Sequence, residues 1–220
     1  MALLTQSRFP RLWLLMQNTI GGNACKQALA TEHYRRQKRV LEIGCSVGNT
    51  SAVFRAFPNV TLTGIDIDRH AIDLAKRRFR NEPNFRFSLS SLEELSRRRE
   101  TFDYVLFAGV LHHVADNTGL QLLRDAVKCT TSGGRMVIYE PERARPSDGW
   151  FFRCFCTIFE QGAFLRSRDA LQRLVEGAGI VLETVEDRMV SPGIVKRPYV
   201  ARFNLLVGTP PEKFQDGISR

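Results

Sequence analysis

Three groups of residues have the types and spacing to do chemistry. The first is Val40-Leu41-Glu42-Ile43-Gly44-Cys45-Ser46-Val47-Gly48-Asn49-Thr50, an apolar run that enters a glycine-bearing loop and then a stretch of helical period. Gly44 permits a tight turn, and Gly48 permits close approach of backbone or ligand at a helix start. The second is Asp66, which ends the next apolar run, where an acid can accept hydrogen bonds from both hydroxyls of a ribose. Loop and acid together describe a nucleoside-binding site. The third is His112-His113, after the run 105–109, with Glu140 after the run 134–139. Imidazole titrates near neutral pH and suits proton transfer. Glu140 can serve as a base, anchor an acceptor, or cap the following turn.

The same loop admits two rival readings. Gly44-Cys45-Ser46-Val47-Gly48 is a literal G-x-S-x-G, the nucleophile elbow of a hydrolase, and Asp103 and His112 follow in the order such a triad needs. That elbow requires an earlier strand and loop for its second oxyanion donor, and only helical sequence precedes residue 39. A nicotinamide site would show G-x-G-x-x-G, whereas Gly44 is followed by Gly48 and then Asn49.

These residues must be positioned by a regular framework. From residue 39 onward, β-branched or aromatic runs alternate with helical periods, the pattern of a parallel α/β sheet. Strands are predicted at 39–43, 60–66, 84–88, 102–107, 134–140, 180–187 and 199–208. Helices are predicted at 49–57, 69–80, 92–98, 118–129 and 167–178. The last two strands follow one another through a loop, which makes them an antiparallel hairpin. Before residue 39, helices at 11–20 and 24–37 flank Gly21-Gly22 and form an N-terminal helical cap over 1–38. The domain then runs over 39–208, with an aromatic-rich substrate-side insertion at 141–166 and a tail at 209–220.

A chain of 220 residues is long enough for one sizeable core, and 43% hydrophobic with 25% charged residues excludes disorder and fibrous repeats. Five Cys, at 25, 45, 129, 154 and 156, show neither paired C-x-x-C spacing nor an even count, so no disulfide framework or zinc site is expected. No His, Asp or Glu cluster has metal-ligand spacing. The expected setting is a reducing cytoplasm.

The segments 41–48, Gly64-Ile65-Asp66-Ile67-Asp68, Phe102-Asp103-Tyr104-Val105, Val110-Leu111-His112-His113 and 132–138 resemble, in order and spacing, the class I S-adenosylmethionine-dependent methyltransferases. Among them the chain looks most like the small-molecule, quinone-biosynthesis-like branch. The resemblance implies a Rossmann-like seven-stranded sheet of order 3-2-1-4-5-7-6 with the last strand antiparallel, and helices on both faces. It implies S-adenosylmethionine as cofactor, released as S-adenosylhomocysteine. Carried over by position, Glu42, Gly44, Cys45, Ser46 and Gly48 would hold the methionine part, Asp66 the ribose and Ile67 the adenine. Ser91 and Leu92 would reach the adenine amino group and ring, and Ala108 and Gly109 would line the pocket. His112, His113 and Glu140 are the candidate catalytic residues. Ser91 stands where the family carries an acid, and Ser46 where it carries its middle glycine.

Lys and Arg number 32 against 23 acids, a net charge of +9. Three basic clusters, at 35–39, 76–80 and 97–99, precede strands and suit helix C-termini. Arg143, Arg145, Arg153, Arg166 and Arg168 surround the aromatic insertion, so an RNA acceptor is an alternative to a small aromatic or amphipathic one. A cofactor-binding module without transferase activity is the reading from another class. The N-terminal apolar residues would pack on the domain or touch a membrane.

Overall fold

In the computed structural model, the described residues are 22–150, 153, 162–190 and 201–212. Strands β1 (Arg39–Ile43), β2 (Thr61–Asp66), β3 (Phe85–Leu89), β4 (Phe102–Ala108), β5 (Thr130–Pro141), β6 (Val181–Val190) and β7 (Ala201–Thr209) form one sheet of order β3-β2-β1-β4-β5-β7-β6. Strands β1 to β5 pair in parallel, and β7 is antiparallel to both β5 and β6. This is the Rossmann-like order anticipated above.

The central strands read as continuous apolar runs because both sheet faces are covered. On one face Val40, Tyr104, Leu106, Val137, Tyr139, Leu205 and Val207 pack with Phe54 and with helix α1 (Gly22–Glu32). On the other, Leu41, Ile43, Val105, Phe107, Met136, Ile138 and Leu206 pack with helices α3 (Leu92–Arg97), α4 (Asp116–Lys128) and α5 (Arg168–Glu176). Helix α2 (Arg69–Arg78) adds Ile72 and Ala75 to the first face. Fully buried side chains such as Phe54 and Phe107 each contribute about 1.5 to 3 kcal/mol of transfer free energy.

Element boundaries differ from expectation at informative places. Residues Ser51–Ala56 form a 3-10 turn rather than an α-helix, because the chain before and within it is pinned. The Asn49 carbonyl accepts from Gln27 Nε2 at 2.7 Å, and the Ser51 hydroxyl bonds the buried Glu42 carboxylate. Gly22 begins α1 instead of breaking before it, and α1 ends at Glu32, short of Gln37. Arg36 adopts φ of 60°, and the Tyr34 hydroxyl donates to the Gln37 carbonyl, so this stretch is a turn. The helix expected at 11–20, residues 151–152 and 154–161 of the aromatic insertion and most of the tail lie outside the described residues. No helix among the described residues is long and apolar enough to cross a membrane.

The basic last turns of α2 and α3 carry Lys76, Arg77, Arg78 and Arg97, which complement the helix dipoles. Arg78 reaches further, donating to the Val47 carbonyl at 3.1 Å and to Asn49 Oδ1 at 2.7 Å.

Candidate cofactor and active site

Parallel register brings the ends of β1, β2 and β4 level, with Ile43 opposite both Ile65 and Phe107 and Asp66 opposite Leu89. The loops after these strands therefore gather at one carboxyl edge, where open α/β sheets bind ligands.

The loop after β1 alternates through left-handed backbone, with φ of 65° at Gly44, 48° at Ser46 and 74° at Gly48. Serine pays of order 1 kcal/mol for that conformation. A charge-assisted bond offsets it, since the Ser46 amide donates to Asp66 Oδ2 at 2.8 Å. Asp66 Oδ1 accepts from the Asp68 amide at 2.9 Å, so each carboxylate oxygen keeps lone-pair capacity for another donor. Next to it Ile67 is 83% exposed, an unusual state for a large apolar side chain. Leu89, opposite Asp66 at the end of β3, is 39% exposed.

The two loop glycines make room for protein. A Cβ on Gly44 would lie 2.7 Å from Val110 Cγ2, and one on Gly48 would lie 2.5 Å from Phe79 Cε2. The Cys45 side chain is buried, so this residue can meet a ligand only through its backbone. Glu42 is also buried, and desolvation first, then the Asp66 charge, pushes its carboxyl up to about 8, against the hydrogen bond from Ser51.

The second half of the site is the turn after β4, which includes Gly109 at φ of 72°. Ala108 and Gly109 are partly exposed at the strand end. Glu140, buried at the end of β5, accepts from the amides of Val110 and Leu111 at 2.7 Å each and of His112 at 3.1 Å. Its Oε2 also lies 2.7 Å from His112 Nδ1. Glu140 thus caps the turn that precedes it in sequence by some thirty residues, not the one that follows. A carboxylate on Nδ1 holds the imidazole in the tautomer whose lone pair is on Nε2. His113 sits beside it with ring centroids 3.9 Å apart. Solvent reaches His113, yet the surrounding protein strips much of its hydration, and that desolvation first and His112 second lower its imidazole to about 4.

Ser91 and Leu92 lie at the start of α3. Ser91 caps α3, accepting from the Glu94 amide at 3.3 Å while Glu94 reaches back to the Ser91 amide at 3.2 Å. Leu92 is buried in the core. The hydrolase triad is not assembled: Asp103 accepts from the Arg39 amide and Thr131 at the amino end of β4, while His112 pairs with Glu140 at the other end. Among the described residues, no three His, Cys, Asp or Glu side chains gather as metal ligands would.

Residues 40–134 match the methyltransferase domain family. Over those residues the chain is similar to methyltransferase domains, and its fold is the one its S-adenosylmethionine-dependent neighbours share. Methyltransferase GfsG of Streptomyces halstedii is 26% identical over 155 residues, covering 68% of this chain and 55% of GfsG. The apo S-adenosylmethionine-dependent methyltransferase SibL superposes with a TM-score of 0.65 at 21% identity, over 91% of this chain and 56% of SibL. The pyocyanin biosynthetic protein PhzM gives 0.70 at 14% identity, over 91% of this chain and 58% of PhzM. The chain therefore spans a little over half the length of these relatives.

S-adenosylmethionine is the cofactor named for these neighbours, and the crevice at the carboxyl edge fits it in two respects. Asp66 retains acceptor capacity for a ribose diol, and exposed Ile67 offers an apolar face to a purine. At Ser91 the hydroxyl accepts from the Glu94 amide and keeps its own proton and a second lone pair. The signal missed in the sequence was the Ser91-Leu92-Glu93-Glu94 run itself, an S-x-x-E capping box. Leu89, not singled out from sequence, is the apolar side chain left open there.

Proposed function

We propose that this chain transfers a methyl group from S-adenosylmethionine to a small aromatic or amphipathic acceptor, at oxygen or carbon. The observation that carries the reading is the Asp66 carboxylate, tied to the Ser46 amide and flanked by exposed Ile67, at the same sheet edge as the His112–Glu140 pair. In this reading Asp66 binds the ribose hydroxyls and Ile67 and Leu89 cover the adenine. The backbone of 44–48 holds the methionine end, and Glu42, a neutral carboxyl in the free protein, releases its proton to solvent beside the cationic amino group. When bound, the cofactor supplies an electrophilic methyl on a sulfonium, so the protein needs mainly to align the acceptor and take up its proton.

For that proton we favour His112 over His113. Glu140 on Nδ1 leaves Nε2 of His112 as the atom that can accept it. His113, lowered to about 4, is uncharged at neutral pH and serves as a hydrogen-bond partner. The neighbour PhzM, named as a pyocyanin biosynthetic protein, supports a small-molecule acceptor.

An RNA acceptor draws less support from the arginines. Arg145 pairs with Glu142 and Asp187, Arg166 with Asp116, and Arg168 with Asp169 and Asp187, so these charges are spent within the fold. Calorimetric titration with S-adenosylmethionine and S-adenosylhomocysteine, with NAD as control, tests the reading. Micromolar binding of both sulfur nucleosides and none of NAD is expected. Absence of binding would leave no basis for transfer, and acceptor screens over phenolic, quinone-like and RNA substrates follow only from success.

A further inference from the structure

Two residues distant in sequence satisfy half of the backbone groups of the turn 110–114. Glu140 takes the amides of 110, 111 and 112. From the opposite side, Arg166 Nη1 donates to the Leu111 carbonyl at 2.6 Å and Nη2 to the Val114 carbonyl at 2.8 Å. The Phe164 amide closes the remaining link, donating to the His112 carbonyl at 2.9 Å. The amides of His113 and Val114 bond within the turn, to the carbonyls of Val110 and Leu111.

The Arg166 side chain is only 8% exposed, which is costly for a guanidinium unless its donors are all engaged. They are engaged: besides the two turn carbonyls it reaches the Phe164 carbonyl at 3.2 Å and Asp116 Oδ1 at 2.7 Å from Nη2 and 2.8 Å from Nε. A planar fork with five donors on three nitrogens can serve three carbonyls and a carboxylate at once, whereas a lysine has three donors on a single nitrogen. The turn so held does two things. It aims His112, whose ring lies against Gly162, where an added Cβ would come within 2.3 Å of Cδ2. It also presses Val110 onto Gly44, the left-handed first residue of the cofactor loop.

We infer that Arg166 is a positioning residue that locks the turn 110–114 between the segment 162–166 and the cofactor loop, so that cofactor affinity and the orientation of His112 both depend on it. The inference rests on the cofactor reading above. It adds that the end of the substrate-side insertion and the loop after β1 form one mechanical unit, coupled through Val110.

The test uses S-adenosylhomocysteine binding by calorimetry and the histidine ring signals by nitrogen-correlated NMR, at a temperature well below each variant's melting point. Arg166→Lys and Arg166→Gln are compared with Asp116→Asn, which removes the ion pair but leaves the carbonyl bonds. Arg166→Lys retains a cation for Asp116 and guards against loss of folding. Arg166→Lys and Arg166→Gln should weaken S-adenosylhomocysteine binding about tenfold or more and shift the His112 signals, while Asp116→Asn changes neither. A role confined to stability would lower the melting point of all three variants without moving affinity or ring signals, and that result would overturn the proposal. If the wild-type chain does not bind S-adenosylhomocysteine, the cofactor reading fails, and unchanged His112 signals in Arg166→Lys then decide against positioning on their own.

Discussion

The Ser46 amide and the Asp66 carboxylate, 2.8 Å apart, join the loop after β1 to the end of β2. The residue that binds ribose in the proposed site is thus also the residue that holds a serine in left-handed backbone. Replacing it removes both functions. Asp66→Ala should weaken S-adenosylhomocysteine binding by about 1 to 3 kcal/mol, through lost charge-assisted hydrogen bonds. Asp66→Asn, which keeps one acceptor oxygen, should lose less. Wild-type affinity in a folded Asp66→Ala protein would exclude the ribose assignment.

Glu42 makes stability depend on pH in a defined direction. Its carboxyl is raised to about 8 in the fold from an ordinary value near 4.5, so between those values the native state keeps a proton that the unfolded chain releases. Stability must therefore fall as pH rises through that window. Glu42→Gln, neutral throughout, should melt higher than wild type at pH 8, with the gap narrowing toward pH 5. Melting curves that stay parallel from pH 5 to 8 would argue against a buried neutral Glu42. Binding of a cationic amino group beside it should also expel a proton near pH 7, visible as a buffer-dependent enthalpy in calorimetry.

His113 acts in the opposite sense. Its imidazole is held down at about 4 against an ordinary 6.5, so below pH 6.5 the unfolded chain takes up a proton that the native site refuses. The native state loses ground as pH drops from 6.5 toward 4. His113→Gln should resemble wild type at pH 7.5 and gain on it progressively in acid. Identical acid unfolding of the two proteins would show that His113 is not held neutral.

Removal of the Glu140 carboxylate leaves the amides of 110, 111 and 112 and the His112 ring nitrogen without their acceptor in a buried site. Each unsatisfied buried group costs about 1 to 3 kcal/mol, so Glu140→Ala should lose several kcal/mol of stability in denaturant titration. Glu140→Gln retains an acceptor oxygen and should fold more stably than the alanine variant, with a slower reaction on any true acceptor. A Glu140→Ala protein as stable as wild type would contradict the capping role.

Much of the architecture was legible from local chemistry. The strands of a sheet covered on both faces are short apolar runs, and helices that close each crossover carry their own periodicity, so β1 to β5 stand within a few residues of expectation. The strand order came from resemblance, because no local pattern states that β7 lies between β5 and β6. The glycine loop and Asp66 were visible for a related reason, since turn geometry and strand ends constrain residue type at single positions. The α3 cap was also local, written in Ser91 and Glu94.

What only the tertiary structure decided are the partnerships between residues far apart in the chain. Glu140 and His112 are separated by 28 positions and Arg166 and Leu111 by 55, and neither pair leaves a periodic trace. The φ of Ser46 and the burial that raises Glu42 are likewise set by neighbours brought from other elements. The physical reason is the range of the forces. Backbone sterics and hydrophobic period act over a few residues and mark the sequence directly. Desolvation and hydrogen-bond satisfaction depend on what folding packs around a group, and they exist only once the sheet has brought its carboxyl edge together.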